Sequence, residues 1–204
     1  IAEHTDAHQT YLPAGKWLDA FSGKIYAGGK TVKREYGLRE APLFVRLGAL
    51  ITLAYEAQNT KRQKWDKLVY DFYPCKEAED KGYLYEDDTE TTAYKLGQFR
   101  KSAYKAYYCA EENAFVIKLH AGEGGFDGEK CFDSRKISIK YHLLNGADSV
   151  KKITVNGEDH GYMKVRKDSF AFPLNADKTA PDSSVIMVAL ETSASKDYVI
   201  KFYL

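Results

Sequence analysis

The residues best equipped for chemistry in this chain are three consecutive acids, Glu86, Asp87 and Asp88. Two carboxylates cleave a glycosidic bond when they stand roughly 5–9.5 Å apart across a pocket. Successive residues on an extended strand point to opposite faces, so Asp87 and Asp88 do not flank one bond. The same acids suit a hard cation, which gathers carboxylate and carbonyl oxygens, yet no further acidic spacing completes a calcium loop. Their third use is to cap a turn through side-chain acceptors. The histidines (His4, His8, His120, His142 and His160) show neither HxH nor HExxH spacing, and core or surface roles are expected for them. Cys75, Cys109 and Cys131 lie in no CxxC arrangement, and a chain this long needs no disulfide to fold, so free thiols are expected. There is no GxSxG, and Gly122 to Gly125 lack the Lys-Ser/Thr of a phosphate loop. The reading is therefore no catalytic residue, no cofactor site and no metal site.

Strands must position whatever these side chains do. Ile137, Ile139, Tyr141 and Leu143 alternate with Lys136, Ser138, Lys140 and His142, which predicts a strand with one dry face and His142 on the polar one. Phe115, Ile117 and Leu119 alternate in the same way, as do Tyr198, Ile200, Phe202 and Leu204. Val185 to Leu190 is apolar on both faces and reads as a central strand. Asn156-Gly157 predicts a type I′ hairpin between residues 152–155 and 162–166, and Gly28-Gly29 a similar turn between Ile25-Tyr26 and Thr31-Val32. Asn145-Gly146 closes the Ile137 strand. Residues 54–67 have the composition of a helical turn, and residues 121–130 that of a flexible loop. The whole predicts an all-β fold, an antiparallel β-sandwich of Greek-key type.

The 204 residues suffice for one large or two small β-domains. A composition shift near residues 55–66 predicts a partial proximal β-domain over 1–58 and a distal sandwich over 59–204. The net charge of +1 supplies no field for nucleic acid or an anionic membrane, and no apolar run is long enough to span a bilayer.

Three segments carry a resemblance. Residues 11–29, YLPAGKWLDAFSGKIYAGG, follow a Leu-Pro-x-Gly-x-Trp pattern, then Asp, then Ser-Gly, then Tyr-x-Gly-Gly, through Leu12, Pro13, Gly15, Trp17, Asp19, Ser22, Gly23, Tyr26, Gly28 and Gly29. Residues 41–53, APLFVRLGALITL, match a Pro-x-Phe-Val-Arg-x-Gly stretch through Pro42, Phe44, Val45, Arg46 and Gly48, with Thr52 in place of a final Pro. Residues 83–99, YLYEDDTETTAYKLGQF, match Leu-Tyr-Glu-Asp-Asp-Gly-x-Thr, with Thr89 where Gly is usual. This ordered set resembles the C-terminal β-domains that follow the catalytic barrel of family 31 glycoside hydrolases; residues 100–204 agree in pattern alone.

The resemblance implies a parent enzyme that is a retaining α-glycosidase of α-glucosidase or α-xylosidase type. Its two working aspartates sit on a (β/α)₈ barrel, and nothing in this chain matches that barrel. The expected role is to brace the barrel, the parent's compartment being open to export. Trp17 then anchors a domain, Asp19 and Ser22 cap turns, and Arg46 needs a buried partner. A carbohydrate-binding module is the alternative, with Trp17, Tyr26 or a cluster of Tyr104, Tyr107 and Tyr108 as stacking platforms. Strands preceding residue 1 would complete the first domain. Without them Tyr11, Leu12, Leu43, Phe44 and Leu50 are expected to form an exposed patch that promotes self-association.

Overall fold

The computed structural model describes residues 7–37, 40–55, 57–59, 62–144, 150–166 and 184–204, and divides the chain into two compact units. The first holds the described residues up to Leu47; the second holds residues 48–165 and 184–204. Strands dominate both, and no α-helix occurs among the described residues.

The first unit contains β1 (His8–Leu12), β2 (Lys16–Asp19), β3 (Ile25–Ala27), β4 (Lys30–Arg34) and β5 (Phe44–Arg46). β1 pairs with β4, while β2 sits between β3 and β5 in a second small sheet. Gly28-Gly29 therefore does not close a hairpin. It is a corner where the chain leaves one sheet for the other, with the Gly28 amide donating to the Gly15 carbonyl (2.7 Å) and the Gly29 amide to that of Leu12 (2.8 Å). A Cβ on Gly28 would fall 1.8 Å from the Pro13 carbonyl oxygen, and Gly29 has φ +75°. Glycine is needed here for close approach and for handedness rather than for a two-residue turn.

The second unit is a sandwich. One sheet runs in the order β13 (Glu158–Asp159), β12 (Lys152–Val155), β16 (Tyr198–Tyr203), β10 (Ala114–Gly125), β9 (Phe99–Cys109) and β8 (Asp80–Glu86). The other runs β14 (Met163–Arg166), β15 (Ser184–Ser193), β11 (Ser134–His142), β7 (Lys67–Phe72) and β6 (Leu50–Ala54). Their facing sides interleave. Leu68, Tyr70, Phe72, Ile137, Ile139, Tyr141, Ile186 and Val188 come from one sheet, and Phe115, Ile117, Ile153, Ile200 and Phe202 from the other. Phe72 meets Phe115 edge to face at 5.7 Å, and Tyr141 stacks on Phe202 at 4.8 Å. Such offset contacts add to the burial of large rings. The alternation read for β10, β11 and β16 is thus the inward face of a sandwich, and β15 is flanked by strands on both sides as expected.

Other expectations change. β11 is dry on both faces: Ser138, Lys140 and His142 are buried, so His142 does not lie on a wet side. β11 pairs antiparallel with β15 but parallel with β7. Asn156 (φ +51°) and Gly157 (φ +89°) form the predicted left-handed turn, but its partner strand is the short β13, and residues 163–166 join the opposite sheet. Residues 121–125, read as loop, extend β10: a register shift after Leu119 lets Gly122 face Ser102 and Gly124 face Arg100. Glycine there makes room, since a Cβ on Gly122 would lie 2.6 Å from the Arg100 side chain. Among the described residues, 54–67 hold the end of β6, bends and turns, a 3₁₀ position at Arg62 that agrees with the expected helical turn, and the start of β7; Asn145-Gly146 lies outside the described residues. Leu12 and Leu50 are buried and Leu43 and Phe44 half-buried, leaving Tyr11 alone of the expected patch strongly exposed.

Gly28→Ala is expected to lower stability by about 3 kcal/mol, near the upper end for forcing atoms into a filled space. Loss of hydrogen-exchange protection at the Gly28 and Gly29 amides would register it, and unchanged protection would contradict the corner's role.

Candidate functional site

Asp19, at the end of β2, is wholly buried. Its Oδ1 accepts from the amides of Phe21 (2.8 Å) and Ser22 (3.0 Å), and its Oδ2 lies 3.0 Å from Arg34 Nε. Ser22 Oγ in turn accepts from the Lys24 amide at 3.3 Å. Both residues cap the turn at Gly23 as the sequence suggested. Arg34 was missed; it also binds Glu40 at 2.9 Å and covers the Tyr36 ring at 4.4 Å. A buried carboxylate demands such a cation, but nothing local in sequence says that the cation comes from β4.

Trp17 is half-buried, and its indole N–H donates to the Pro13 carbonyl at 2.8 Å. The donor is used within its own turn, which ties β2 to the segment before it. Tyr26 packs edge to face on Phe44 at 5.9 Å. Arg46 pairs opposite Trp17 in the β2–β5 ladder and is half-buried. The Tyr104/Tyr107/Tyr108 cluster is divided between two faces. Tyr104 and Tyr108 pack against the sandwich core, while Tyr107 faces the other way beneath the ammonium groups of Lys105 (5.1 Å) and Lys118 (5.8 Å).

The acid triplet separates by role. Asp87 Oδ1 accepts from the Thr89 amide at 2.9 Å. Asp88 Oδ1 accepts from the amides of Glu90 and Thr91, both at 3.0 Å. The Thr91 hydroxyl first, and then these amides, hold the Asp88 carboxyl below the usual carboxylate range. Thr89 takes φ +61°, the left-handed conformation its usual glycine would adopt freely. Its hydroxyl accepts from Lys130. The loop then makes a 3₁₀ turn, Ala93–Leu96, ended by Gly97 at φ +86°.

Glu86 turns inward instead. One carboxylate oxygen lies 3.2 Å from Arg100 Nε, and the other accepts from Arg135. Arg100 also donates to the Phe132 carbonyl at 2.9 Å. The group fastens the β8–β9 hairpin to the segment entering β11, and its carboxylate is saturated by guanidinium. A second buried polar group lies on β7 and β11. Asp71 Oδ1 is 2.6 Å from His142 Nε2, Asp71 Oδ2 accepts from the Tyr73 hydroxyl at 2.9 Å, and the Tyr73 and His142 rings stack at 4.1 Å. Because a carboxylate accepts only, the histidine donates through Nε2. Burial first and the Asp71 charge second push the Tyr73 hydroxyl pKa far up. Burial also lowers that of Lys140, against the pull of Asp71. One signal for this group stood in the sequence: an aspartate inside the apolar run Leu68 to Phe72.

These geometries are carboxylates engaged by amides, hydroxyls and guanidinium groups. Among the described residues no three of His, Cys, Asp and Glu converge as a metal site, and Cys75, Cys109 and Cys131 form no disulfide.

A family model, the glycosyl hydrolase family 31 C-terminal domain, matches residues 1–51. Alpha-glucosidase 2 of Bacillus thermoamyloliquefaciens is 24% identical over 155 residues, which is 76% of this chain and 18% of that protein. Alpha-xylosidase of Saccharolobus solfataricus is 34% identical over 94 residues, 45% of this chain and 12% of that protein. Among solved structures, a mutant family 31 dextranase of Flavobacterium johnsoniae complexed with isomaltotriose superposes with TM-score 0.77 at 22% identity, covering 100% of this chain and 25% of the dextranase. A family 31 alpha-xylosidase from Xanthomonas citri gives TM-score 0.64 at 21% identity, over 98% of this chain and 17% of its own. At these identities the structures speak for the fold. The chain spans less than a fifth of the length of either curated relative named.

Thr89→Gly is expected to stabilise the protein by about 1 kcal/mol, by relieving the cost of a left-handed β-branched residue; a lower urea midpoint would contradict this. Tyr73 and Tyr70 give an alkaline prediction. Burial raises the Tyr73 hydroxyl pKa and pushes that of Tyr70 up to about 12. Folded tyrosines then keep protons that the unfolded chain releases above about pH 10, so stability is full below that pH and falls above it. Tyr73→Phe should cost about 1 kcal/mol near neutrality, through the lost hydrogen bond, and make the alkaline fall shallower. Denaturation midpoints across pH 7 to 12 check both parts.

Proposed function

We propose that this chain, which belongs to the C-terminal β-region of the family 31 glycoside hydrolases, is a non-catalytic support for a barrel that carries the chemistry in the parent protein. The observation that carries this reading is how the candidate acids are used. Asp19, Glu86, Asp87 and Asp88 are bound to amides, hydroxyls and guanidinium groups of their own turns and strands. A general acid needs a carboxyl free to exchange protons with a substrate, and a nucleophile needs an open oxygen. A carboxylate between two arginines offers neither.

The parent's reaction, on this reading, is hydrolysis of α-glucosidic or α-xylosidic bonds, the bonds that the names of the curated relatives point to, by the retaining course that the family resemblance implies. The barrel is the proposed partner. Small sheets whose turns are stapled internally, as at Asp19 and Trp17, suit a rigid brace.

The purified chain is expected to release no p-nitrophenol from the corresponding α-glucoside or α-xyloside, and sustained turnover that co-purifies with it would overturn the reading. The complementary measurement is the melting temperature of the parent barrel produced with and without residues 1–204. A barrel equally stable and active without them would remove the supporting role.

A further inference from the structure

Large apolar side chains with high exposure concentrate in one hairpin of the second unit. Tyr83 is 59% exposed, Tyr85 and Tyr94 are 41% exposed and Leu96 is 87% exposed. Tyr83 and Tyr85 stand two residues apart on β8, so they share its outer face, about 7 Å apart along an extended strand. Tyr85 stacks on Phe99 of β9 at 5.4 Å with an interplanar angle of 25°. Lys101, opposite Tyr85 in the ladder, reaches over the Tyr83 ring (5.0 Å) and the Phe99 ring (5.4 Å). Tyr94 is presented by the 3₁₀ turn that joins β8 to β9. The outcome is a row of ring faces edged by phenolic hydroxyls and one movable ammonium, on a strand at the margin of its sheet. Isolated exposed rings need no explanation, but a contiguous set of them marks a binding surface.

We propose that the outer face of the β8–β9 hairpin, through Tyr83, Tyr85, Tyr94, Phe99 and Lys101, binds a neutral oligosaccharide chain by stacking sugar rings on the aromatic faces. This rests on the glycosidase reading above and adds a substrate-holding surface to it. Charge selects the occupant. Residues 79–105 contain six acids and five bases, and Lys105 is paired with Glu79 at 2.9 Å. Asp87, Asp88 and Glu90 border the tip. A polyanion such as nucleic acid or an anionic membrane would meet a near-neutral surface rimmed by carboxylates. A polyhydroxyl chain needs no net charge, and its apolar ring faces match aromatic planes whose hydroxyls stay wet. Of the platforms considered from sequence, Trp17 has its N–H engaged, Tyr26 packs on Phe44, Tyr104 and Tyr108 face the core, and the outward Tyr107 ring lies beneath Lys105 and Lys118.

The test is affinity electrophoresis of the full 204-residue chain through gels containing dextran or soluble starch, with isothermal titration of isomaltotriose and maltoheptaose. Retardation in at least one glucan is expected. Tyr83→Ala combined with Tyr85→Ala should weaken it at least tenfold while leaving the melting temperature within a few degrees, and Tyr11→Ala, an exposed tyrosine in the other unit, should leave it unchanged. Lys101→Met keeps the stem and should retain most of the stacking. The proposal is overturned by no binding to either glucan at millimolar sugar, or by equal binding of the double variant. It is also overturned by preferential retention on heparin, or by a concentration-dependent dimer that the double variant abolishes, which would make a second copy the occupant. Because sugar binding is measured without the barrel, its failure leaves the supporting role standing, and loss of the supporting role leaves the binding result intact.

Discussion

Phe72, Phe115, Tyr141 and Phe202 meet where the two sheets of the second unit face each other, and much of what the larger unit does follows from that contact. Two open sheets are stable in water only if each has a side removed from it. The four rings come from strands in different sheets and distant parts of the chain, so they also fix which face of β7, β10, β11 and β16 turns inward. A one-residue slip in any of these strands would send its apolar set outward.

The buried polar groups are consequences of the same packing. Once Leu68, Tyr70 and Phe72 face the core, Asp71 must point to the opposite side of β7, and there it meets His142 of the parallel neighbour β11. Glu86 closes the end of β8 and is held by arginines from β9 and β11. In each case a carboxylate out of water is matched by a donor from another strand, because an unmatched one would cost several kcal/mol. The acids are thereby committed to architecture. By contrast, the rings of Tyr83, Tyr85 and Tyr94 in the β8–β9 hairpin stay exposed.

The alternation of β10, β11 and β16, the Asn156-Gly157 turn and the capping at Asp19, Ser22, Asp87 and Asp88 were legible because each is a local matter. Side-chain direction has period two, and positive φ or an Asx turn depends on neighbours within three residues. The three family-like segments were legible for the same reason, being short and contiguous. The Thr89 position illustrates the limit of a local rule: its preference opposes positive φ, yet hydrogen bonds from the surrounding loop hold it at +61°.

Sequence by itself determined the class of this protein, all-β and sandwich-forming, the positions of its principal turns, and the absence of a recognisable nucleophile or metal spacing. Tertiary structure decided the rest. Gly28-Gly29 is a corner because the Pro13 carbonyl occupies the space a side chain would need. Residues 121–125 continue a strand because β9 offers them a partner and Arg100 needs the room. His142 is buried because both faces of β11 are covered. Arg34, Arg100 and Arg135 became partners of buried acids only when strands far apart in sequence came together. Pairing between strands is a long-range choice made by burial and hydrogen-bond saturation over the whole sheet, and no window of neighbouring residues contains it.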